Sequence, residues 1–557
     1  MTHMNPPRRH SLCAAIALGL GSFLSASDAQ AEAVLPLSSL DGSNGFRLDG
    51  IATNDSSGRA LSNIGDINGD GIDDFIIGAF FASPNGISES GSSYVVFGRK
   101  TGFPSAIDLS TLNGSNGFRL DGAAAFDKSG YAVSAAGDIN GDGIDDLIIG
   151  APYASPNGND VAGSSYVVFG STDPFPAVIN LSSLDGSNGF RLDGVAEGDY
   201  SGIAVSAAGD INGDGIDDLI IGASRADPDG NNNAGSSYVV FGSTDGFDAV
   251  FDLSSLDGSN GFRLDGVAAS NFSGAAVSSA GDINGDGIDD LIIGARSASP
   301  NGNSSAGSSY VVFGSTDPFA AVISLSSLDG NNGFRLDGTA AEDFSGHAVS
   351  AAGDINGDGI DDLIIGAPYA DPNGFRSGSS YVVFGRNTGF ASTINLSSLD
   401  GNNGFRLDGA LDQDHSGFAV SAAGDINGDG IDDLIIGAPL ADPDGNNSAG
   451  SSYVVFGSND GFPSTINLSS LDGNNGFRID GTAANSRSGS AVSAADIGVV
   501  PFLDYANLYL KMSKKGSVLH GCRRINNIPE RKNVGAQSPE VPATTQRGSP
   551  IPDPLPP

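Results

Sequence analysis

Along most of the chain, short apolar runs alternate with clusters of Gly, Asn, Asp, Ser and Pro, and the order in which they come is repeated. The second copy predicts four strands, A over residues 131–136, B over 146–151, C over 164–170 and D over 189–193. Strand A is built of Ala, Val and Ser, small enough for several copies to converge on an axis. Strand B, with Leu147, Ile148 and Ile149, is continuously apolar, as expected where both faces are covered. Strand D alternates Phe190, Arg191, Leu192 and Asp193, the period of two of a half-exposed outer strand. Small inside, apolar in the middle and amphipathic outside is the gradient that a propeller blade requires.

The string GDINGDGIDD starts at Gly65, Gly137, Gly209, Gly281, Gly353 and Gly424, a period of about 72 residues, and GFRLDG recurs from Gly45 to its last form, GFRIDG, at Gly476. The fold class this predicts is all-β: a β-propeller of four-stranded blades, seven-bladed with the last blade incomplete, or six-bladed. A β-sandwich or a linear solenoid competes with it. A lone strand D at 45–49 precedes the first strand A at 59–62, placed as if to complete the last blade and lock the circle.

Within each repeated string the residues run Asp, x, Asn, x, Asp, Gly, Ile, Asp, Asp, which sets oxygen donors at positions 1, 3, 5 and 9 and offers the carbonyl of position 7. Hard oxygen ligands at alternating spacing, with Gly for the sharp turn, are what calcium demands. The predicted ligands of the first loop are Asp66, Asn68, Asp70, the Ile72 carbonyl and Asp74, and of the second Asp138, Asn140, Asp142, Ile144 and Asp146. The third set is Asp210, Asn212, Asp214, Ile216 and Asp218, and the fourth Asp282, Asn284, Asp286, Ile288 and Asp290. The fifth is Asp354, Asn356, Asp358, Ile360 and Asp362, and the sixth Asp425, Asn427, Asp429, Ile431 and Asp433. An EF-hand is excluded, because its twelfth position falls on Ile77 where a bidentate glutamate is needed. The bland alternative, that Asn-Gly and Asp-Gly only turn a hairpin, explains one copy better than six. About six structural calcium ions are therefore expected as cofactors. With neither Cys nor paired His in the loops, zinc, copper and iron are disfavoured.

Composition sharpens this picture. The 82 glycines, 26 prolines and absent tryptophan suit a repetitive β body, and a net charge of -40 makes nucleic acid and anionic lipid poor partners. Of the two cysteines, Cys13 and Cys522 both lie outside the repeats, so no disulfide fastens the body. Residues 1–31 read as a secretory signal, with Arg8 and Arg9 before an apolar run and a small-residue site at Ala29-Gln30-Ala31. Secretion or display at the cell surface follows, with no later run long enough to span a bilayer. Of five histidines, His347 and His415 fall in the repeats at different places, and no catalytic triad is suggested. The chain is expected not to be an enzyme.

Six units of the form SGxAVSAAGDINGDGIDDLIIGAP…GSSYVVFG resemble the FG-GAP repeats of integrin α-chain propeller heads. The name-giving Gly-Ala-Pro stands at Gly150-Ala151-Pro152, Gly366-Ala367-Pro368 and Gly437-Ala438-Pro439, while Phe-Gly is altered to Phe344-Ser345-Gly346 or Tyr200-Ser201-Gly202. The resemblance implies a seven-bladed propeller with calcium in the A-to-B hairpins on one face and ligand recognition on the other. Just before strand A the units differ, carrying Ser56, Lys128, Tyr200, Phe272, Phe344, His415 and Arg487. Those from Lys128 onward form the predicted ligand rim; the bland reading packs the aromatic ones between blades. The expected partner is an extracellular protein or a glycan, bound by a monomer. The repeats resemble each other more closely than those of integrin α chains, and no leg domains follow, which argues against pairing with a β chain.

The propeller is expected to occupy 35–496. Its seventh strand A, at 489–495, proceeds normally, and then Asp496-Ile497-Gly498 breaks the register where a seventh loop is due. Residues 497–557 carry eight Lys or Arg against four Asp or Glu and end Pro-rich. Two readings stay open: a frameshift replacing the end of a longer repeat protein, or a natural basic tail, disordered by composition.

Overall fold

The computed structural model describes residues 33–494. The signal segment and the tail from 497 lie outside them. Among the described residues there is no α-helix, and no helix long and apolar enough to cross a membrane.

Each blade is an antiparallel sheet of strands A to D with a fifth strand on its outer edge. In the second blade A is Ala132–Gly137, B Asp146–Ala151, C Ser164–Val168 and D Gly189–Asp193. The fifth strand, Val250–Asp252, comes from the C-to-D connection of the next unit and pairs in parallel with Arg191–Asp193. Six such five-stranded sheets form, with their A strands side by side around the centre. The expected burial gradient holds for A and B: strand B is buried throughout, strand A only at Val133 and Ala136 of its six residues. It fails for strand D of the six complete blades, where only the arginine of the Gly-Phe-Arg-Leu-Asp or Gly-Phe-Arg-Ile-Asp strand keeps substantial contact with water. The reason is the fifth strand, which four-strand reasoning did not contain and which covers the edge that strand D would otherwise expose.

The same connection stacks a phenylalanine on the previous blade, as in Phe190 on Phe247 at 4.2 Å and Phe118 on Phe175 at 4.5 Å. It then caps a short 3-10 turn, in which the Asn180 side chain accepts from the Ser182 N–H. Neighbouring blades thus share one core per interface. Ile139, Ile148, Val167 and Phe190 of one meet Val205, Leu219, Ile221 and Tyr238 of the next.

Six complete blades leave a seventh sector that is partly filled. There Arg47–Asp49, a strand D, pairs only with Ala106–Asp108. Residues 489–494 form no strand, but Val492 packs against the sixth blade and the Ser493 hydroxyl accepts from the Asn63 N–H of the first blade at 3.3 Å. Between them the described residues supply no strand B or C, and a cavity of about 250 Å³ opens beside Leu37, Leu40, Phe46, Ser105 and Ser488. The strand that closes the circle is not the expected 45–49 but Val34–Pro36, which pairs in parallel with Arg478–Asp480 of the sixth blade. It is that blade's fifth strand, supplied from the start of the chain.

Candidate calcium centres and ligand face

Because strands A to D run antiparallel, the A-to-B turns all lie at one end of the blades and the B-to-C and D-to-A loops at the other. The acid-rich strings occupy the first end. In the second to sixth blades a bulge in the A–B ladder, between Ala135 and Gly137 in the second, swings the string out of the sheet.

All six loops close in the same way. The carboxylate of position 1 accepts the N–H groups of positions 5 and 6; for Asp66 these are Asp70 at 2.9 Å and Gly71 at 2.6 Å. The acid of position 9 is buried at the foot of strand B, where Asp74 accepts the Gly98 N–H at 2.7 Å and, in the second blade, Asp146 accepts that of Gly170 at 2.7 Å. Burial pushes Asp74 up to about 8; the Gly98 N–H holds it back, and the charges of Asp70 and Asp66 add to the rise. Asp146, Asp218, Asp290 and Asp362 are likewise raised to about 8, and Asp433 to about 7, in each case chiefly by burial. Asn68 leans on the same carboxylate, its amide donating to Asp74 at 2.9 Å.

Positions 1, 3, 5 and 9 lie on one turn in each blade, with the acid of position 9 buried at its foot. A buried acid is costly to ionise without a compensating cation, and the oxygen-only chemistry of positions 1, 3, 5, 7 and 9 fits a hard divalent ion. Among the described residues no three His, Cys, Asp or Glu side chains gather into one cluster. The predicted set draws two of its five oxygens from an amide and a backbone carbonyl.

At the opposite end, every residue of the predicted rim sits in the left-handed region: Lys128, Tyr200, Phe272, Phe344, His415 and Arg487 have φ between 53° and 58°. Each donates its backbone N–H to the B-to-C loop of the preceding blade, as Lys128 does to Glu89 and Tyr200 to Val161, and those acceptors also have positive φ. The rim is thus a fixed double turn that presents a variable side chain.

The structure also recruits residues that the rim prediction missed. Lys128 lies over the Tyr153 ring at 4.1 Å and over Phe81 at 5.0 Å; Tyr200 meets Tyr153 edge-on at 5.3 Å, with Arg225 over its own ring at 4.5 Å. Phe344 and His415 both pack on Tyr369, at 5.1 and 4.9 Å, with Arg376 over that ring. The bland reading is half right: these side chains do pack across blades, and His415 is buried, but Lys128, Tyr200 and Phe344 stay partly exposed. Arg487 is exposed and Phe272 half-buried. The signal that could have found Phe81, Tyr153, Arg225 and Tyr369 is their shared offset, two residues after the Gly-Ala that ends strand B.

His347 and His415 occupy different places in their units, yet both lie near Tyr369. Burial pushes His347 down to about 4, helped by the charge of Arg296, and its Nδ1 is buried without a hydrogen-bond partner.

Repeated sheets around a centre, acidic turns at one end and variable loops at the other define a repeat-built β-propeller. The FG-GAP repeat family model matches residues 57–96, 129–168, 201–240, 273–312, 345–383 and 416–455, so the chain carries six FG-GAP repeats, each running from the approach to strand A to the end of strand C. It is 29% identical over 237 residues to integrin alpha pat-2 of Caenorhabditis elegans, covering 42% of this chain and 17% of that one. Integrin alpha-PS2 of Drosophila melanogaster is 28% identical over 275 residues, 49% of this chain and 17% of the relative. A phosphatidylinositol-glycan-specific phospholipase D of Bos taurus is 33% identical over 193 residues, 32% of this chain and 21% of the relative. The matches span about a fifth or less of these relatives' own lengths.

Proposed function

We propose that this chain is an exported, calcium-loaded propeller that binds an extracellular protein through its loop face, in adhesion or surface attachment, and that it has no catalytic activity of its own. The observation that carries this reading is the contrast between the two ends of the blades. Six copies of one acid-rich turn stand at one end, while at the other the same backbone double turn offers a different side chain in almost every unit. Constancy at the first end suits a structural ion; variety on a rigid frame suits recognition. Relatives named as integrin α chains support a binding role.

Calcium would be held by the carboxylates of positions 1, 5 and 9, the Asn amide oxygen and the position 7 carbonyl, and would neutralise the buried acid at the foot of strand B. Calcium titration of the full chain tests this: uptake of about six ions is expected, with Asp70→Ala weakening one site and leaving five. No uptake would overturn it. Recognition is tested by capturing extracellular proteins in calcium and in chelator, with Tyr200→Ala and Lys128→Ala expected to lose capture without loss of calcium.

A second reading, a carbohydrate-binding module of a surface enzyme, is favoured by the partly exposed rings of Tyr153, Tyr200 and Tyr369 and by the phospholipase D relatives. Binding confined to sugars on a glycan array would select it.

A further inference from the structure

The eighth residue of each acidic string is an aspartate with no place in the predicted ligand set, and the structure gives it a different task. Asp145 of the second blade reaches back to the first and accepts the backbone N–H of Asp66, the first ligand of the preceding loop, at 2.8 Å. Asp217 does the same to Asp138 at 2.8 Å, Asp289 to Asp210 at 3.0 Å, Asp361 to Asp282 at 3.0 Å and Asp432 to Asp354 at 3.1 Å. A second bond runs alongside. The N–H just beyond strand C of the later blade donates to the Ile carbonyl at position 2 of the earlier loop, as from Ser171 to Ile67 and from Ser458 to Ile355, both at 2.9 Å. The side chains of Ile67, Ile139, Ile211, Ile283 and Ile355 are fully buried by this arrangement.

The sixth loop has the same sequence, and among the described residues it has neither bond. Among the described residues no carboxylate reaches the Asp425 N–H and no N–H reaches the Ile426 carbonyl. Ile426 is only partly buried and Asp425 is exposed, whereas Asp66, Asp138, Asp210, Asp282 and Asp354 are all partly buried. A β-carbon added at Gly65, Gly137, Gly209, Gly281 or Gly353 would strike the reaching aspartate, while at Gly424 nothing stands within 4 Å.

We infer that the six loops are unequal cation sites: five are pre-set by an aspartate of the following blade, Asp145, Asp217, Asp289, Asp361 and Asp432 acting as positioning residues, and the sixth, Asp425–Asp433, binds at least tenfold more weakly. The inference rests on the calcium reading above. Its physical basis is that a loop already held in its binding shape loses less conformational freedom when it closes on an ion. The sixth loop is closed by its own bonds from Asp429 and Gly430 to Asp425 but has no such restraint from a following blade, so it has more freedom to lose. Each clamp also joins the loop of one blade to strand B of the next, so filling one site stiffens its neighbour's frame.

Calcium titration of the full chain is expected to resolve five tight sites and one weak one. In Asp289→Asn, which unclamps the third loop, the count becomes four tight and two weak. Asp73→Asn, the same change at the eighth position that among the described residues reaches only Asn63 of its own blade, leaves five tight. Six indistinguishable sites, or five tight sites remaining in Asp289→Asn, would overturn the inference while leaving the calcium reading intact; no uptake at all would overturn both. Should Asp289→Asn not fold, hydrogen exchange on the calcium-free wild-type chain decides. Amides of 425–433 are expected to exchange at least tenfold faster than those of the other five loops, and equal rates would overturn the inference.

Discussion

Gly137 and Gly424 open the same decapeptide with the same φ of 64°, yet a side chain would meet different surroundings at the two places. Alanine at either position carries the strain of a left-handed backbone, about 1–2 kcal/mol. Only Gly137→Ala also drives a methyl into the Asp217 carboxylate. Chemical unfolding is therefore expected to show Gly137→Ala as the more damaging of the two by about 1 kcal/mol or more, and equal losses would contradict the inter-blade contact. At the rim end, burial raises Asp127, Asp199 and Asp414 to about 6. A carboxyl whose folded value lies above its unfolded one of 3.8 favours the fold when protonated, so its contribution is whole below about pH 4 and is lost as pH rises towards 6. Asp199→Asn is expected to flatten the fall in stability between pH 4 and 6 by about 1–2 kcal/mol, read as the difference from wild type in urea titrations at each pH.

At the scale of the element, strand D shows how a polar pair can belong to a buried edge. Arg191 and Asp193 lie two apart on one face and join by two bonds of 2.6 and 2.8 Å, and Asp193 also accepts from Ser164. The aspartate side chain is 1% exposed and the arginine 35%. Arg191→Ala leaves a buried carboxylate without its cation, and a loss of about 2–3 kcal/mol in urea unfolding is expected, below the usual range for a broken buried pair because the guanidinium already touches water. The strand B glycines have an equally local cause. A β-carbon at Gly150 would collide with the Gly202 carbonyl ahead of the next strand A, so the Gly of Gly-Ala-Pro and the Gly of Ser-Gly are two halves of one close backbone approach. Periodicity displayed both glycines without pairing them, because the partner lies a blade away.

For the whole molecule, the sixth blade is completed by a three-residue strand, Val34–Pro36, and the proposed ions would stiffen the turns at one end. Removing residues 33–40 takes the fifth strand from the sixth blade, and hydrogen exchange is expected to rise first across 451–480, with a lower melting temperature; unchanged protection would mean that Val34–Pro36 closes nothing. Each calcium at about a hundred times its dissociation constant adds about 2.7 kcal/mol, so chelation is expected to lower the melting temperature by about 10 °C or more, followed by circular dichroism. The repeat by itself determined the blade, the strand order, the acidic turns and the face on which the units vary, because each of these is local and is written many times over. What it left out is whatever one unit does to another. The fifth strand, the stacked phenylalanines and the clamp between loops join residues that no single repeat contains. Six identical decapeptides become five clamped loops and one that is not, among the described residues, only because a complete following blade stands beside five of them, and which unit has such a neighbour is decided by how the blades are arranged around the centre.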